Sequence, residues 1–257
     1  MRRGVSWAYL VAAFGFIYLP VGALVLFSFQ GSTLPVPPFD GPSLRWYGEV
    51  LSDDDLMAAL WNSVLVAFGS SGVAVVLGFL AAYGLARHVL PGSVWVRALL
   101  IAPLTVSYLI VGLGLLIVLT RAGLGLSLWT AFIGHVVINL PLAFAIVYAS
   151  MGAQHRAIEW AARDLGARED QVILLVTVPV VLPALAAAFF LSVTLSWDEF
   201  IIAFLLTRFD VTLPVEIWSL LRSGLSPRLN AIGSVVFLIS VAVVLLVEIL
   251  VIGRRRA

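Results

Sequence analysis

The chain contains no cysteine and no lysine, has only three histidines, and carries charge on just 11% of its 257 residues. Each shortage closes off a chemistry. Without cysteine there is no disulfide framework, no thiolate metal site and no cysteine nucleophile. Without lysine the phosphate loop Gly-x-x-x-x-Gly-Lys-Ser/Thr cannot be written, so any nucleotide-driven step needs a separate polypeptide. His88, His135 and His155 are scattered along the chain and offer no metal-ligand spacing. No metal, no bound cofactor, no catalytic residue and no nucleic-acid partner are expected of this chain.

What the sequence has in abundance is apolar surface: 62% of residues are hydrophobic and mean hydropathy is +1.10. A soluble domain of this size cannot hide so much of it. Lipid is the expected solvent. Six stretches are long enough to cross a bilayer, at about 7–29, 62–86, 95–119, 127–149, 180–206 and 231–252. They are continuous rather than alternating, which argues against a barrel of strands. The first run is too long for a signal peptide and lacks a well-placed small-x-small cleavage site, so it is expected to be retained. The expected organisation is one all-α, multi-pass membrane domain over residues 1–257.

Arginine distribution orients it. Arg2, Arg3, Arg87, Arg97, Arg156, Arg163, Arg168, Arg254, Arg255 and Arg256 flank the span ends of one face. The opposite face has Arg45, Arg121, Arg208, Arg222 and Arg228 beside Asp40, Glu49, Asp53, Asp54, Asp55, Asp210 and Glu216. Positive charge stays inside, so both termini and the 151–178 loop are expected in the cytoplasm and the 30–61 loop outside. In that outer loop Ser52 is expected to cap a short surface helix starting Asp53-Asp54-Asp55. Those carboxylates fit either a cation site or, more simply, complementation of a helix dipole.

Small residues Ala74, Gly78 and Ala82 recur at four-residue steps and predict close helix packing. Pro103 and Pro141 predict kinks or local breaks. Intramembrane acids are costly and therefore informative. Asp198 and Glu199 lie about 21 Å along the fifth span if it enters near Ala184. Ser192, Ser196 and Glu199 fall on one helical stripe, Thr194 and Asp198 on an adjoining one, and Trp197 is a neighbour. This polar track either lines a path for a solute or pairs structurally, for example with Arg208 or Arg222. Glu248 is expected to snorkel towards Arg254 or Arg255.

The densest polar island is residues 158–183. Ile158, Ala161, Ala162 and Leu165 recur at i, i+3, i+4 and i+7 and predict one apolar helix face. Glu159 and Arg163 are spaced to pair, and Gly166 to end the helix. An amphipathic knob between spans is suited to a groove on a soluble partner. Its residue order also resembles the "EAA" loop of ABC-transporter permeases: Ala161, Ala162, Gly166, Val176, Val178 and Pro179 fall in register. Trp160 stands where that family has Glu, with Glu159 one place earlier.

Ser-Trp-Asp-Glu-Phe-Ile-Ile-Ala-Phe (196–204), Leu-Pro-Val-Glu-Ile-Trp-Ser (213–219) and Ser-Pro-Arg-Leu-Asn-Ala (226–231) extend the likeness, which is to permeases of spermidine/putrescine importers. The resemblance implies a six-helix type I importer permease in a bacterial inner membrane. Its implied partners are a second homologous permease, two ATPase subunits holding ATP and Mg, and an extracytoplasmic solute-binding protein. It further implies that Ile158, Glu159, Ala161, Ala162, Leu165 and Gly166 couple to the ATPase. Related systems carry phosphonates, iron or amino acids, which remain open as cargo.

Two other readings compete. Gly69-Ser70-Ser71-Gly72 and His135 through Asn139 match elements of rhomboid intramembrane proteases. Their order is reversed and no later membrane histidine exists to activate the serine. Small-residue packing and an interhelical hydrogen bond explain them more simply. A secondary transporter would need its own coupling site and usually an internal repeat, and none is visible.

Overall fold

In the computed structural model the backbone is described for residues 2–252, and the side chains for 6–242 and 245. Glu248 and the terminal arginines Arg2, Arg3, Arg254, Arg255 and Arg256 therefore lie outside the described side chains. The helices are α1 (Arg2–Ser28), α2 (Arg45–Leu51), α3 (Asp54–Arg87), α4 (Ser93–Ile101), α5 (Tyr108–Arg121), α6 (Leu128–Ser150), α7 (Ala153–Asp164), α8 (Glu169–Gln171), α9 (Val178–Trp197), α10 (Ile201–Leu206), α11 (Leu213–Ser223) and α12 (Pro227–Ile252). Among the described residues no extended strand forms, only an isolated bridge between Gln30 and Pro42.

Among the described residues, four helical stretches are long and apolar enough to cross a membrane: Ser6–Ser28, Asp54–Arg87, Leu128–Ser150 and Glu169–Trp197. A fifth candidate is bent by 109° between Ser93–Thr105 and Tyr108–Arg121. The bend follows a 3-10 turn, Ala102–Thr105, that contains Pro103, as a proline without an N–H predicts. Pro141, in contrast, sits inside an uninterrupted α6. Within α12, the stretch Pro227–Ala242, over which side chains are described, is apolar.

Two compact units divide the chain, residues 1–57 with 216–257, and residues 58–215. In the first, α1 lies along α12. The connection after α1 is organised by the buried Gln30, whose amide donates to Ser32 Oγ and the Pro38 carbonyl at 2.9 Å each. The Trp46 indole donates to the Gln30 carbonyl at 2.6 Å. The short surface helix expected behind Ser52 does not form. Asp54 instead opens the long α3, and Asp53 caps it by accepting the Leu56 N–H at 2.9 Å. Asp53 also pairs with Arg228. These two donors hold its carboxyl below the ordinary range, the Leu56 N–H contributing most.

The second unit is built on α3, α6 and α9. Val75, Phe79, Tyr83, Phe144, Val147 and Val181 form its larger core. The small-residue stripe explains the α3–α6 approach: a Cβ on Gly78 would stand 2.8 Å from the Phe144 nitrogen. Only a hydrogen fits there. Ala74 and Ala82 are fully buried on the same side. A second core of Leu119, Ala131, Ile138, Ile202 and Leu206 surrounds α10.

The helix carrying the fifth predicted span begins at Glu169, ahead of residue 180, and passes through a π-helical segment at Val172–Thr177. Pro179 cannot donate to the preceding turn, and the widened π turns accommodate that missing bond. At its other end the helix stops at Trp197, and α10 begins only at Ile201. Asp198 and Glu199 therefore sit in a break, not within a helix as the sequence suggested.

Candidate functional site

Two sites emerge from the second unit, and their local logic differs. The first is α7. Gly152 leads into it in extended geometry. Its end is a Schellman cap: the Gly166 N–H reaches the Arg163 carbonyl at 2.9 Å, and the Ala167 N–H reaches that of Ala162 at 3.1 Å. Gly166 has φ +88°, the left-handed geometry expected of it. Leu165 is 90% exposed, and Ile158, Trp160 and Ala161 are exposed as well, with Ala162 half-buried. The Arg156 guanidinium lies 5.1 Å above the Trp160 ring, which stiffens that aromatic projection.

Glu159 and Arg163 do not pair with each other. Glu159 is 1% exposed and points into the unit. It receives Arg87 in a two-pronged contact, Nε to Oε2 at 2.6 Å and Nη2 to Oε1 at 3.0 Å. Thr177 adds its hydroxyl at 3.1 Å, and the Arg87 Nη1 also donates to the Met151 carbonyl at 3.3 Å. Arg163 turns instead to Glu169, with Nε and Nη2 both at 2.9 Å. The Tyr83 hydroxyl donates to the same Glu169 at 2.5 Å. The in-helix pairing loses because it would leave Arg87 buried without a counter-charge, whereas an exposed i,i+4 pair is worth only about 0.3–0.5 kcal/mol.

Sequence reasoning missed this double contact, although a signal was present. Tyr83 and Arg87 are four apart at the end of α3, and Glu159 and Arg163 are four apart on α7. Two helices with matching polar spacing can engage through two rungs.

The second site is the break after α9. Asp198 is exposed and Trp197 half-buried, while Glu199 is 7% exposed. Glu199 Oε1 accepts the Ile202 N–H at 2.8 Å and so caps α10. Among the described residues neither carboxylate is in salt-bridge contact with an arginine, so the alternative pairing with Arg208 or Arg222 does not form. The far end of α10 is held by Thr130 Oγ1 and the Ser127 N–H, at 2.8 and 3.0 Å from the Leu206 carbonyl.

Ser192 and Ser196 are turned into the unit rather than along an open track, both buried. Ser196 Oγ lies 2.6 Å from His135 Nδ1 and 3.5 Å from Ser70 Oγ, so one polar node joins α9, α6 and α3. His135 thus makes an interhelical hydrogen bond, the packing alternative to a protease motif, but among the described residues Asn139, expected to take part, does not. Asn139 and the Ser192 hydroxyl are buried next to this node in sequence and have no hydrogen-bond partner among the described protein atoms.

The helical fold is shared with chains of solved ABC transporters. One solved relative is a bacterial ABC transporter for import of the acidic polysaccharide alginate. Its matching chain superposes with a TM-score of 0.68 at 19% identity, over 97% of this chain and 95% of that one. The same transporter type in complex with its alginate-bound periplasmic protein gives 0.73 at 16% identity, covering 96% and 93%.

Residues 74–256 match the family described as binding-protein-dependent transport system inner membrane component, and the chain belongs to it. The spermidine/putrescine permease protein PotC of Escherichia coli K12 is 28% identical over 246 residues, 95% of this chain and 92% of PotC. The putrescine permease protein PotI of the same strain is 33% identical over 235 residues, 88% and 83%. The chain is thus an ABC importer permease subunit, a multi-pass membrane protein and not an enzyme.

Proposed function

We propose that this chain is one of two permeases in a polyamine importer, with six spans, cytoplasmic termini and the 30–61 loop outside, in a bacterial inner membrane. Two ATPase subunits and a solute-binding protein complete the complex. The observation that carries the substrate reading is the carboxylate pair at the α9–α10 break. Among the described residues Asp198 and Glu199 form no salt bridge with an arginine, and Trp197 adjoins them. An ammonium chain leaving water needs such carboxylates and aromatic faces. The PotC and PotI relatives support the same choice. Phosphonates, being anionic, would be repelled there.

The α7 helix is the docking element. Ile158, Ala161, Ala162 and Leu165 enter the ATPase groove, Gly166 shapes the exit, and Glu159 secures the helix from within. Trp160 extends the apolar contact where the family's acidic residue stands. ATP binding draws the docked helices together and rocks the permeases, so that the path opens alternately to each side.

The decisive experiment reconstitutes the complex with its binding protein and measures ATP hydrolysis against putrescine, spermidine, a phosphonate, ferric iron and amino acids. Polyamines should stimulate hydrolysis most. Stimulation by another cargo alone would reject the substrate reading while keeping the class. Single cysteines at Ser32 and Arg168 in this cysteine-free chain should label from opposite sides with an impermeant maleimide; labelling from one side would reject the topology.

A further inference from the structure

Helix α3 touches both sites. At its end, Tyr83 and Arg87 hold α7 and its connector through Glu169 and Glu159. Midway, Ser70 reaches Ser196, two residues before Asp198. Near its start, the Asn62 amide donates to the Val211 carbonyl at 3.0 Å, and Ser63 Oγ accepts the Leu213 N–H at 2.8 Å. The carboxylate break is therefore bracketed by α3 contacts on both sides in sequence. From Ser70 to Arg87 the helix spans about 25 Å at its regular rise. The Gly78 contact with α6 leaves no slack between backbones.

A buried ion pair is a poor device for stability, since an apolar pair of similar volume commonly does as well. Its use here is directional. Four atoms in a fixed fork fix the register of α7 against α3 in a way that apolar packing would not.

We infer that α3 is the rod by which α7 moves the Asp198–Phe200 break, with Arg87–Glu159 as the input clamp and Ser70–Ser196–His135 as the output. This rests on α7 being the docking helix. The residues Tyr83, Arg87, Ser70 and His135 are positioning residues: they touch neither nucleotide nor cargo. A displacement of α7 is carried by the rigid helix to the break, where it reorients Asp198 and Glu199 together. Coupling of this kind requires a physical chain of contacts and a demonstration that breaking it separates the two ends.

The test uses the complete complex and the variant Arg87→Met with Glu159→Leu, which removes the clamp without stranding a charge. A purely structural pair predicts little change. A rod predicts that the ATPase still co-purifies while the ratio of putrescine-stimulated to unstimulated hydrolysis falls towards one, and uptake falls by about tenfold or more. Adding Ser70→Ala should then cause no further loss, because two breaks in one chain are not additive.

A readout independent of cargo is the maleimide labelling rate of a single Asp198→Cys. ATP should change that rate in the otherwise unaltered complex and not in the clamp variant. An assembled clamp variant with an unaltered ATP response and normal stimulation would overturn the rod. If that variant does not assemble, Tyr83→Phe with Glu169→Gln opens the more exposed rung. It should lower stimulation in the same direction, and an unchanged ratio there would equally overturn the proposal. Failure of the docking reading is separate: it would be seen as ATPase still bound to Leu165→Asp.

Discussion

Glu159 and Glu199 are both buried carboxylates in the same structural unit, at 1% and 7% exposure, and they are treated in opposite ways. Glu159 is met by a forked guanidinium and a hydroxyl. Glu199 receives the Ile202 N–H at the start of a six-residue helix and lies beside a second acid. Burial of an ion is costly in either case. At Glu159 the cost is offset by partners inside the chain, leaving a fixed joint. At Glu199 it is offset only in part, and a cationic ligand would complete it. The pairing of a buried charge, rather than its depth, distinguishes the two carboxylates.

The contrast can be broken most forcefully at the joint. Arg87→Met alone leaves Glu159 without its counter-charge, and loss of one member of a buried pair costs about 3–5 kcal/mol. The purified chain should show its largest fall in thermal midpoint with this variant. Glu159→Leu added to it should recover most of the loss. If Arg87→Met were thermally neutral, the two carboxylates would not differ in the way the geometry indicates.

At the break the expected pattern is reversed. Asp198→Asn with Glu199→Gln keeps shape and the acceptor for Ile202, so stability should move by no more than about 1 kcal/mol. Putrescine uptake should fall by an order of magnitude, about 1.4 kcal/mol in the effective interaction. Full uptake by this variant would take both residues out of the pathway.

A smaller effect sharpens the comparison in the first unit, where a carboxylate is paired yet partly exposed. The Asp53 carboxyl is held below its ordinary value by the Leu56 N–H first and by Arg228. A lowered folded value means the stabilisation is present above the unfolded value of about 3.9 and is lost as pH falls through the folded one. The stability difference between the parent chain and Asp53→Asn should therefore shrink as pH drops below about 4. A constant difference from neutral to acid would remove Asp53 from that balance.

Much of the fold was legible because its signals are local. Lipid as solvent follows from long apolar runs, the bend from Pro103, the end of α7 from Gly166, and the α3–α6 approach from Ala74, Gly78 and Ala82. The polar group at 197–199 stood out for the same reason: acids within an apolar run are rare. The errors also have local causes. Reading 180–206 as one helix ignored that Glu199 can cap a new one, and reading Ser52 as a cap overlooked Asp53.

What the sequence determined by itself is the class of the molecule and the position of its polar exceptions. Periodicity and hydropathy act within a few turns, and the backbone's own geometry makes them readable. Only the tertiary structure decided which charge answers which. Glu159 and Arg163 satisfy every spacing rule for a pair, but Arg87, 72 residues away, takes Glu159. A buried guanidinium must find a carboxylate, and an exposed neighbour gains little from one. That choice depends on helix packing across the unit, which no local pattern encodes, and it turns an apparent surface pair into the joint between α3 and α7.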